Sequence, residues 1–383
     1  MPLPMSRSAL RRVKRLVVKV GTGTLTDRAG RFDRDNCARL ASELAEVARG
    51  RKVVLVSSGA VALGAERLGL ARSRGKPWDI PTKQACAAAG QPHLMAAWGE
   101  ALGRHGLVTA QVLLTADDLA SRKRFLNARR TFERLLDAGA VPVVNENDTV
   151  AVDEIKVGDN DTLAALVAGC VEADAVAMLT DVDGLYDRNP AEPGARLLRD
   201  VPRVTAEIER SAGGAGSERS VGGMITKVKA ARRLGAQGVV TALLSGRRAR
   251  ALPALLAGEP VGTVFAPGVH RLSSRQGWLA AAARGKGVIL VDAGARRALV
   301  EQGRSLLPSG VRGVQGQFGV GDPVDVAVDP ARPFARGLAG YGADEVRRIA
   351  GLKTGEIERA LGYKYLDEIV HRNDLVVLET GRE

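Results

Sequence analysis

Short apolar runs alternate with helix-spaced segments from the N-terminus to about residue 265. Residues 16–20 predict a strand that ends at Gly21, and 34–49 a helix with Leu40, Leu44, Val47 and Ala48 on one face. A strand over 53–56 ends in Ser57-Ser58-Gly59 and feeds a helical pattern. Residues 108–114 predict a strand, 124–138 a helix, and 141–144 a strand ending in Asn145-Glu146-Asn147-Asp148. A helix over 161–170 precedes a strand over 175–179, which ends at Thr180-Asp181. A helix over 224–234 precedes a strand over 239–243. Such alternation predicts an α/β fold: a mostly parallel sheet between two helical layers, α/β/α. Ligands then bind beyond the carboxyl ends of the strands, where the polar and glycine residues gather here.

The pattern changes after residue 265. Residues 266–284, with Pro, Gly, Ser and Arg, read as a linker. Beyond it, runs at 288–292, 311–314 and 323–328 predict short strands between glycine-rich turns. Short helices are expected over 342–350 and 354–361, and a last strand in 369–379. The predicted division is therefore 1–265, a linker over 266–284, and a small β-rich module over 285–383. Residues 212–223 read as a flexible glycine-rich loop.

Composition excludes several classes. The chain has 383 residues, 45% of them hydrophobic and 26% charged, which is enough for large cores without disulfide or metal staples. Cys37, Cys86 and Cys170 are odd in number and far apart, which argues against a disulfide framework and fits a reducing cytoplasm. No apolar run reaches the roughly 18 residues needed to span a bilayer, so no membrane partner is expected. Glycine is abundant and aromatics are only 3%, which suits small-ligand sites built from backbone amides and equally suits a GC-rich genome. The net charge of +13 favours anionic partners. It is spread along the chain, however, and residues 271–383 hold 17 basic against 14 acidic side chains.

Common catalytic signatures are missing. There is no GxxxxGK[ST] loop and no GxGxxG, and His93, His105, His270 and His371 are scattered. Five constellations remain. Lys19 before Gly21-Thr22-Gly23 places an ammonium beside bare backbone amides, or is simply an edge lysine. Ser57-Ser58-Gly59-Ala60 before a helix offers amides to a carboxylate or phosphate, or is ordinary serine capping. The block from Asn145 to Asp161 holds amides and carboxylates that are costly to bury unpartnered, and otherwise is a solvated loop. Thr180-Asp181 at a strand end suits a nucleotide, or is an Asp-Gly turn with Asp183-Gly184. Gly222-Gly223-Met224-Ile225-Thr226-Lys227 puts a cation in a first helical turn, which is unfavourable unless an anion lies nearby. Together these groups suit phosphoryl transfer, which needs positioning and charge stabilisation above all.

Read in order, these blocks resemble the glutamate kinases of the amino-acid-kinase family. The resemblance rests on residues 17–22, Ser58-Gly59-Ala60, Asn145-Glu146-Asn147-Asp148, the block Lys156-Val157-Gly158-Asp159-Asn160-Asp161, Leu179-Thr180-Asp181 and Gly222 to Lys227. Residues 111–115 and 125–129 also match. Residues 285–363 are similar to a PUA domain through 287–295 and 305–311. The resemblance implies an ATP-dependent kinase that phosphorylates the side-chain carboxylate of L-glutamate. It implies catalytic roles for Lys19, Lys227 and Asp161, the last holding both lysines. Ser58, Asp148 and Asn160 would bind glutamate. Lys19, Thr180, Asp181, Val221, Gly222, Gly223, Met224, Ile225, Thr226 and Lys227 would bind ATP, with Mg2+ held largely by the phosphates. A dimer or tetramer and feedback inhibition by proline are implied too. The PUA-like module is expected to be structural or regulatory rather than RNA-binding. Val221, Ile225 and Gly23 depart from residues usual in the family, where threonine, a small residue and serine are expected. Rival readings are a superfamily kinase with another acceptor, an RNA-binding or RNA-modifying protein, and a silent regulator. Intact Lys19, Asp161 and Lys227 argue against the last.

Overall fold

The computed structural model describes residues 7–27, 29–70, 78–151, 160–212, 223–267, 279 and 285–378. The chain divides into two compact units, Met1–Leu119 with Lys123–Arg271, and Ala120–Arg122 with Leu272–Glu383. Most of the 266–284 segment and of the 212–223 loop lies outside the described residues.

The first unit contains β1 (Arg15–Val20), β2 (Lys52–Ser57), β3 (Thr109–Leu114), β4 (Val141–Glu146), β5 (Ala175–Thr180), β6 (Asp200–Val201), β7 (Val240–Ser245) and β8 (Thr263–Phe265). They form one sheet in the order β3-β4-β2-β1-β5-β7-β8-β6. Every pairing is parallel except that of β7 with β8. Strand β1 lies between β2 and β5 and is buried along nearly its whole length. A central parallel strand is covered on both faces, which explains its unbroken apolar run. Its alternate positions Leu16, Val18 and Val20 join a core with Leu40, Leu44, Leu94 and Trp98. Lys19 is out of phase with them and points to the other face, where the helix Asn160–Cys170 packs on β1.

Helix Ile80–Gly103 was not visible in the hydrophobic pattern. Its apolar residues surround it rather than forming a stripe, and Pro92 lies within it. It packs against helix Ala60–Arg67 by backbone contact. A Cβ on Gly90 would fall 1.8 Å from the Ala60 carbonyl oxygen, and one on Gly64 would fall 1.7 Å from that of Cys86. Only glycine allows this approach. The two-residue β6 and three-residue β8 also escaped the pattern, being too short to show a period.

The second unit contains β9 (Gly287–Val291), β10 (Val311–Gly316), β11 (Pro323–Ala327), β12 (Ala335–Leu338) and β13 (Leu375–Val377). Their order is β10-β9-β11-β12-β13, and only β9 and β11 are parallel neighbours. Its core includes Ile289, Val324, Val326, Tyr341, Val346 and Ile349. The tail is a strand only over Leu375–Val377, and the segment from 354 starts as a 3-10 turn before helix Ile357–Leu361. Strand β12 was not anticipated, because Ala335–Leu338 carries an arginine and a glycine. That arginine, Arg336, is buried and pairs with Asp325 at 2.6 Å. Among the described residues no helix is long and apolar enough to cross a membrane.

The glycine contact makes a direct prediction. Gly90→Ala should cost about 3 kcal/mol, the upper end of ordinary overpacking, because backbone cannot yield as a side chain can. Thermal unfolding should show a Tm lower by roughly 6–12 °C for a unit of this size. An unchanged Tm would mean that the two helices do not touch as described.

Candidate active site

The polar groups collect where the parallel strands end. Lys19 and Val20 of β1 stand opposite Val56 and Ser57 of β2, and opposite Met178 and Leu179 of β5. Thr180 pairs with Ser245 of β7, and Asn145 lies at the end of β4. Crossing connections follow: Gly21 N–H donates to the Leu179 carbonyl (3.2 Å) and Ser58 N–H to that of Val20 (3.0 Å). The strand ends are thus tied into one floor.

Above that floor two lysines share one carboxylate. Lys19 Nζ lies 2.8 Å from Asp161 Oδ1, and Lys227 Nζ 3.1 Å from Asp161 Oδ2. Thr226 Oγ1 donates to the same Oδ2 (2.7 Å). All three charged groups are buried, Asp161 to 1% exposure. Burial alone would raise the Asp161 carboxyl, but the ammoniums of Lys19 and Lys227 outweigh it and hold it below the usual carboxylate range. Burial pushes the Lys227 ammonium down, opposed by Asp161 and assisted by Lys19. Asp161 sits in the first turn of its helix, where the helix dipole favours an anion. Lys227 sits in the first turn of helix Met224–Ala236, where it disfavours a cation. Asp161 is the anion that resolves this conflict. A second carboxylate, Asp181, adds a weaker attraction that also favours the charged form of Lys227.

A neutral amide chain adjoins this centre through the peptide bond between Asn160 and Asp161. Asn160 Nδ2 donates to Ser58 Oγ (2.8 Å) and to Asn145 Oδ1 (3.0 Å). Asn145 Nδ2 in turn donates to Gln91 Oε1 (2.9 Å). Ser58 does not cap helix Ala60–Arg67. The cap position is Gly59, at φ +114°, with no side-chain bond to the first amides. The cap residue thus gives those amides no side-chain acceptor.

The remaining expected residues are placed more loosely. Asp148 is buried beyond β4, and burial, with the Glu146 charge added, raises its carboxyl to about 6. Among the described residues it lies in the chain turn at Asn147–Thr149 that follows β4, and it is not one of the groups that hold Asp161 or Asn160. Thr180 Oγ1 donates to Asp181 (3.0 Å) at the end of β5. A Cβ at Gly23 would be 3.6 Å from the Asp181 side chain, so the glycine there is not sterically demanded. Gly223 caps the helix that Met224, Ile225 and Thr226 begin. Val221, Gly222 and 156–159 lie outside the described residues. Gln91 and Asn36 were not anticipated. Asn36 Nδ2 donates to the carbonyls of Thr24 (2.7 Å) and Gly246 (3.2 Å), and so braces the turn after β1. A lone Asn or Gln inside a helix carries no pattern that would mark it. Among the described residues no group of three His, Cys, Asp or Glu could hold a metal ion.

Asp161→Asn should strand two like charges in a buried site, and removing one partner of such a pair costs about 3–5 kcal/mol. The variant should therefore gain more Tm from added ATP than the parent does, since a phosphate anion replaces the lost carboxylate. Equal ATP-induced shifts, read by thermal unfolding, would count against Asp161 as the counter-charge.

Comparison with known proteins shows the family. Residues 14–244 match the amino acid kinase family, and residues 287–361 match the PUA domain. A glutamate 5-kinase of Anaeromyxobacter dehalogenans (strain 2CP-C) is 99% identical over 379 residues, 99% of this chain and 100% of that protein. Another, from Myxococcus xanthus (strain DK1622), is 55% identical over 97% of this chain and 98% of its own length. A third, from Geobacter sulfurreducens, is 50% identical over 98% of this chain and 100% of its own. With identity of this order along nearly the whole length, the chain belongs to the glutamate 5-kinases of the amino acid kinase family, with a PUA domain in its C-terminal part.

Proposed function

We propose that Lys19, Lys227 and Asp161 are the phosphoryl-transfer centre, with Ser58, Asn160 and Asp148 as the acceptor site beside it. The reaction is the ATP-dependent phosphorylation of the side-chain carboxylate of L-glutamate to L-glutamyl 5-phosphate, the first step of proline biosynthesis. One observation carries the assignment: two buried lysines from distant parts of the chain meet on Asp161, next to the amide chain that ends at Ser58.

The chemistry follows from those groups. The acceptor carboxylate is already ionised at neutral pH, so one of its oxygens attacks the γ-phosphorus without a general base, and ADP leaves. Asp161 cannot serve as that base, because both its oxygens are engaged by lysines. It is a positioning residue, and the two ammoniums offset the charge that builds up on the transferring phosphoryl. Ser58 and the first amides of helix Ala60–Arg67 suit a substrate carboxylate, and ionised Asp148 suits the substrate ammonium. Thr180, Asp181 and the stretch from Val221 to Lys227 would take the nucleotide. A bound Mg2+ would shield the triphosphate charge. Its ligands would come largely from the phosphates, as the family resemblance implies.

The wider reading is also a proposal. Domain boundaries at 265 and 285 fit the change in pattern. Inhibition by free proline and assembly into dimers or tetramers rest on the family resemblance. PUA domains are of RNA-binding type, yet the near-balanced charge of residues 271–383 favours a structural or regulatory role here. Three free cysteines, all buried, suit a cytoplasmic setting.

Two measurements test the site. With ATP, magnesium, L-glutamate and hydroxylamine, the protein should form glutamyl hydroxamate. Lys227→Ala should lower kcat on the order of 100-fold or more, as loss of an oxyanion donor does. Near-normal turnover in that variant would remove Lys227 from the mechanism. Asp148 must be ionised to hold an ammonium, and its carboxyl is raised to about 6. Hence kcat/KM for glutamate should fall as pH drops through about 6, since that ratio reports the free enzyme. Asp148→Asn should flatten this limb and raise KM roughly 10-fold or more, the loss expected for one charged hydrogen bond. A limb that survives the substitution belongs to another group.

A further inference from the structure

The turn that follows β1 walls one side of the charged centre. A Cβ on Gly21 would stand 3.5 Å from Lys19 Nζ, and one on Gly23 would stand 3.6 Å from the Asp181 side chain. The backbone of Gly21-Thr22-Gly23 therefore runs past both the lysine and the carboxylate assigned to the nucleotide. Its only regular element is the four-residue helix Thr22–Leu25. A single turn of helix does not hold its own shape, so the position of this wall must be fixed from outside.

The fixing groups come from far along the chain, in the turn after β7. Gly246 N–H donates to the Thr180 carbonyl (2.7 Å), which ties this turn to the end of β5. Gly246 also lies against Thr24, since a Cβ on it would fall 2.3 Å from Thr24 Cγ2. Arg247 then reaches across. Its guanidinium donates to the Gly23 carbonyl (3.0 Å), to the Thr26 carbonyl, and to Asp33 Oδ2 (2.5 Å). One planar fork thus holds the inside and the exit of the short helix together. A guanidinium suits the task because its donors lie in a rigid plane, whereas a lysine ammonium is a compact point charge.

Asp33 is itself a fixed anchor. Its N–H donates to the Leu25 carbonyl (2.8 Å), and its carboxylate accepts from Asn36 N–H (2.9 Å) to cap helix Arg34–Ala48. The side-chain bonds of Arg247 go to the turn and to Asp33, not to the centre of Lys19, Asp161 and Lys227. We propose that Arg247 is a positioning residue for the nucleotide, which locks the turn Gly21–Gly23 in its place beside Lys19 and Asp181. The proposal rests on the nucleotide-binding role assigned above to Lys19 and Asp181. Ser58 and Asn160, the groups assigned to glutamate, are held instead by the amide chain, so the loss of Arg247 falls on ATP.

Full-length variants test it through steady-state kinetics at pH 8, with KM for ATP and KM for glutamate each measured at saturating partner and excess Mg2+. Arg247→Ala removes charged hydrogen bonds to three acceptors. It should raise KM for ATP roughly tenfold or more, the size expected for such bonds, while KM for glutamate stays within about twofold. Arg247→Lys keeps the charge without the fork and should raise KM for ATP about threefold or more. Asp33→Asn keeps an oxygen for Arg247 and an effective helix cap, so its KM for ATP should stay within about twofold of the parent value. An unchanged KM for ATP in Arg247→Ala overturns the proposal. So do parallel rises for ATP and glutamate, which mark a merely structural residue. An equal rise in Asp33→Asn also overturns it, because the effect would then belong to the ion pair and not to the carbonyls of the turn. If Arg247→Ala does not fold, the lysine variant decides, and a parental KM for ATP there overturns the proposal. A parent enzyme that forms no ATP-dependent glutamyl hydroxamate would instead overturn the nucleotide reading, and the proposal with it.

Discussion

The site depends on one carboxylate doing two jobs. Asp161 binds Lys19, from the central strand, and Lys227, from a helix some two hundred residues further along the chain. Without it two ammoniums would face each other in a buried space, at a cost no hydrogen-bonding neutral group could offset. With it, each lysine is held at a set place. The arrangement also explains the hydroxyl of Thr226, which adds a third bond to the same carboxylate and fixes the start of the helix that carries Lys227. The register of the parallel strands makes this meeting possible. A lysine one residue earlier or later on β1 would point into the opposite core, with Leu44 and Trp98.

The neighbouring cluster is built on a different principle. Ser58, Asn160, Asn145 and Gln91 carry no charge and are joined to one another by hydrogen bonds. The peptide bond between Asn160 and Asp161 joins the charged and neutral clusters, so the acceptor and the phosphoryl group are positioned by the same helix start. A shift of that turn would disturb both at once. This is a reason for the rigid framework around it, including the glycine contact between helices Ala60–Arg67 and Ile80–Gly103. Rotating a group by a fraction of its length is enough to lose a directed bond.

Much of this was legible in the sequence, for a physical reason. Lys19 and Ser58 are polar residues at the ends of apolar strands, and Asn160, Asp161 and Lys227 stand at helix starts, the two places where a parallel sheet gathers its chemistry. The strands themselves showed because buried parallel strands are uninterrupted apolar runs. Helix Ile80–Gly103 did not show, because it is enclosed on several sides and rich in alanine and glycine, so its pattern has no period to detect. Gln91 was hidden with it. Its place in the amide chain comes from a contact with Asn145, 54 residues away, which no local spacing encodes. Asn36 was hidden for the same reason, since its partners Thr24 and Gly246 are backbone carbonyls and any residue could supply them. Lys227 showed because a cation at a helix start calls for an anion, and Asp161 is one such anion.

The second unit carries none of the residues proposed for the reaction. Every group assigned to the reaction lies between Lys19 and Arg247, and the second unit has its own core and its own buried ion pair, Arg336 with Asp325. A buried pair of this kind contributes little net stability against an apolar replacement, but losing one partner is costly. It therefore constrains which side chains β11 and β12 can carry, whatever happens in the first unit. Arg336 and Asp325 must change together or not at all if the second unit is to keep its packing.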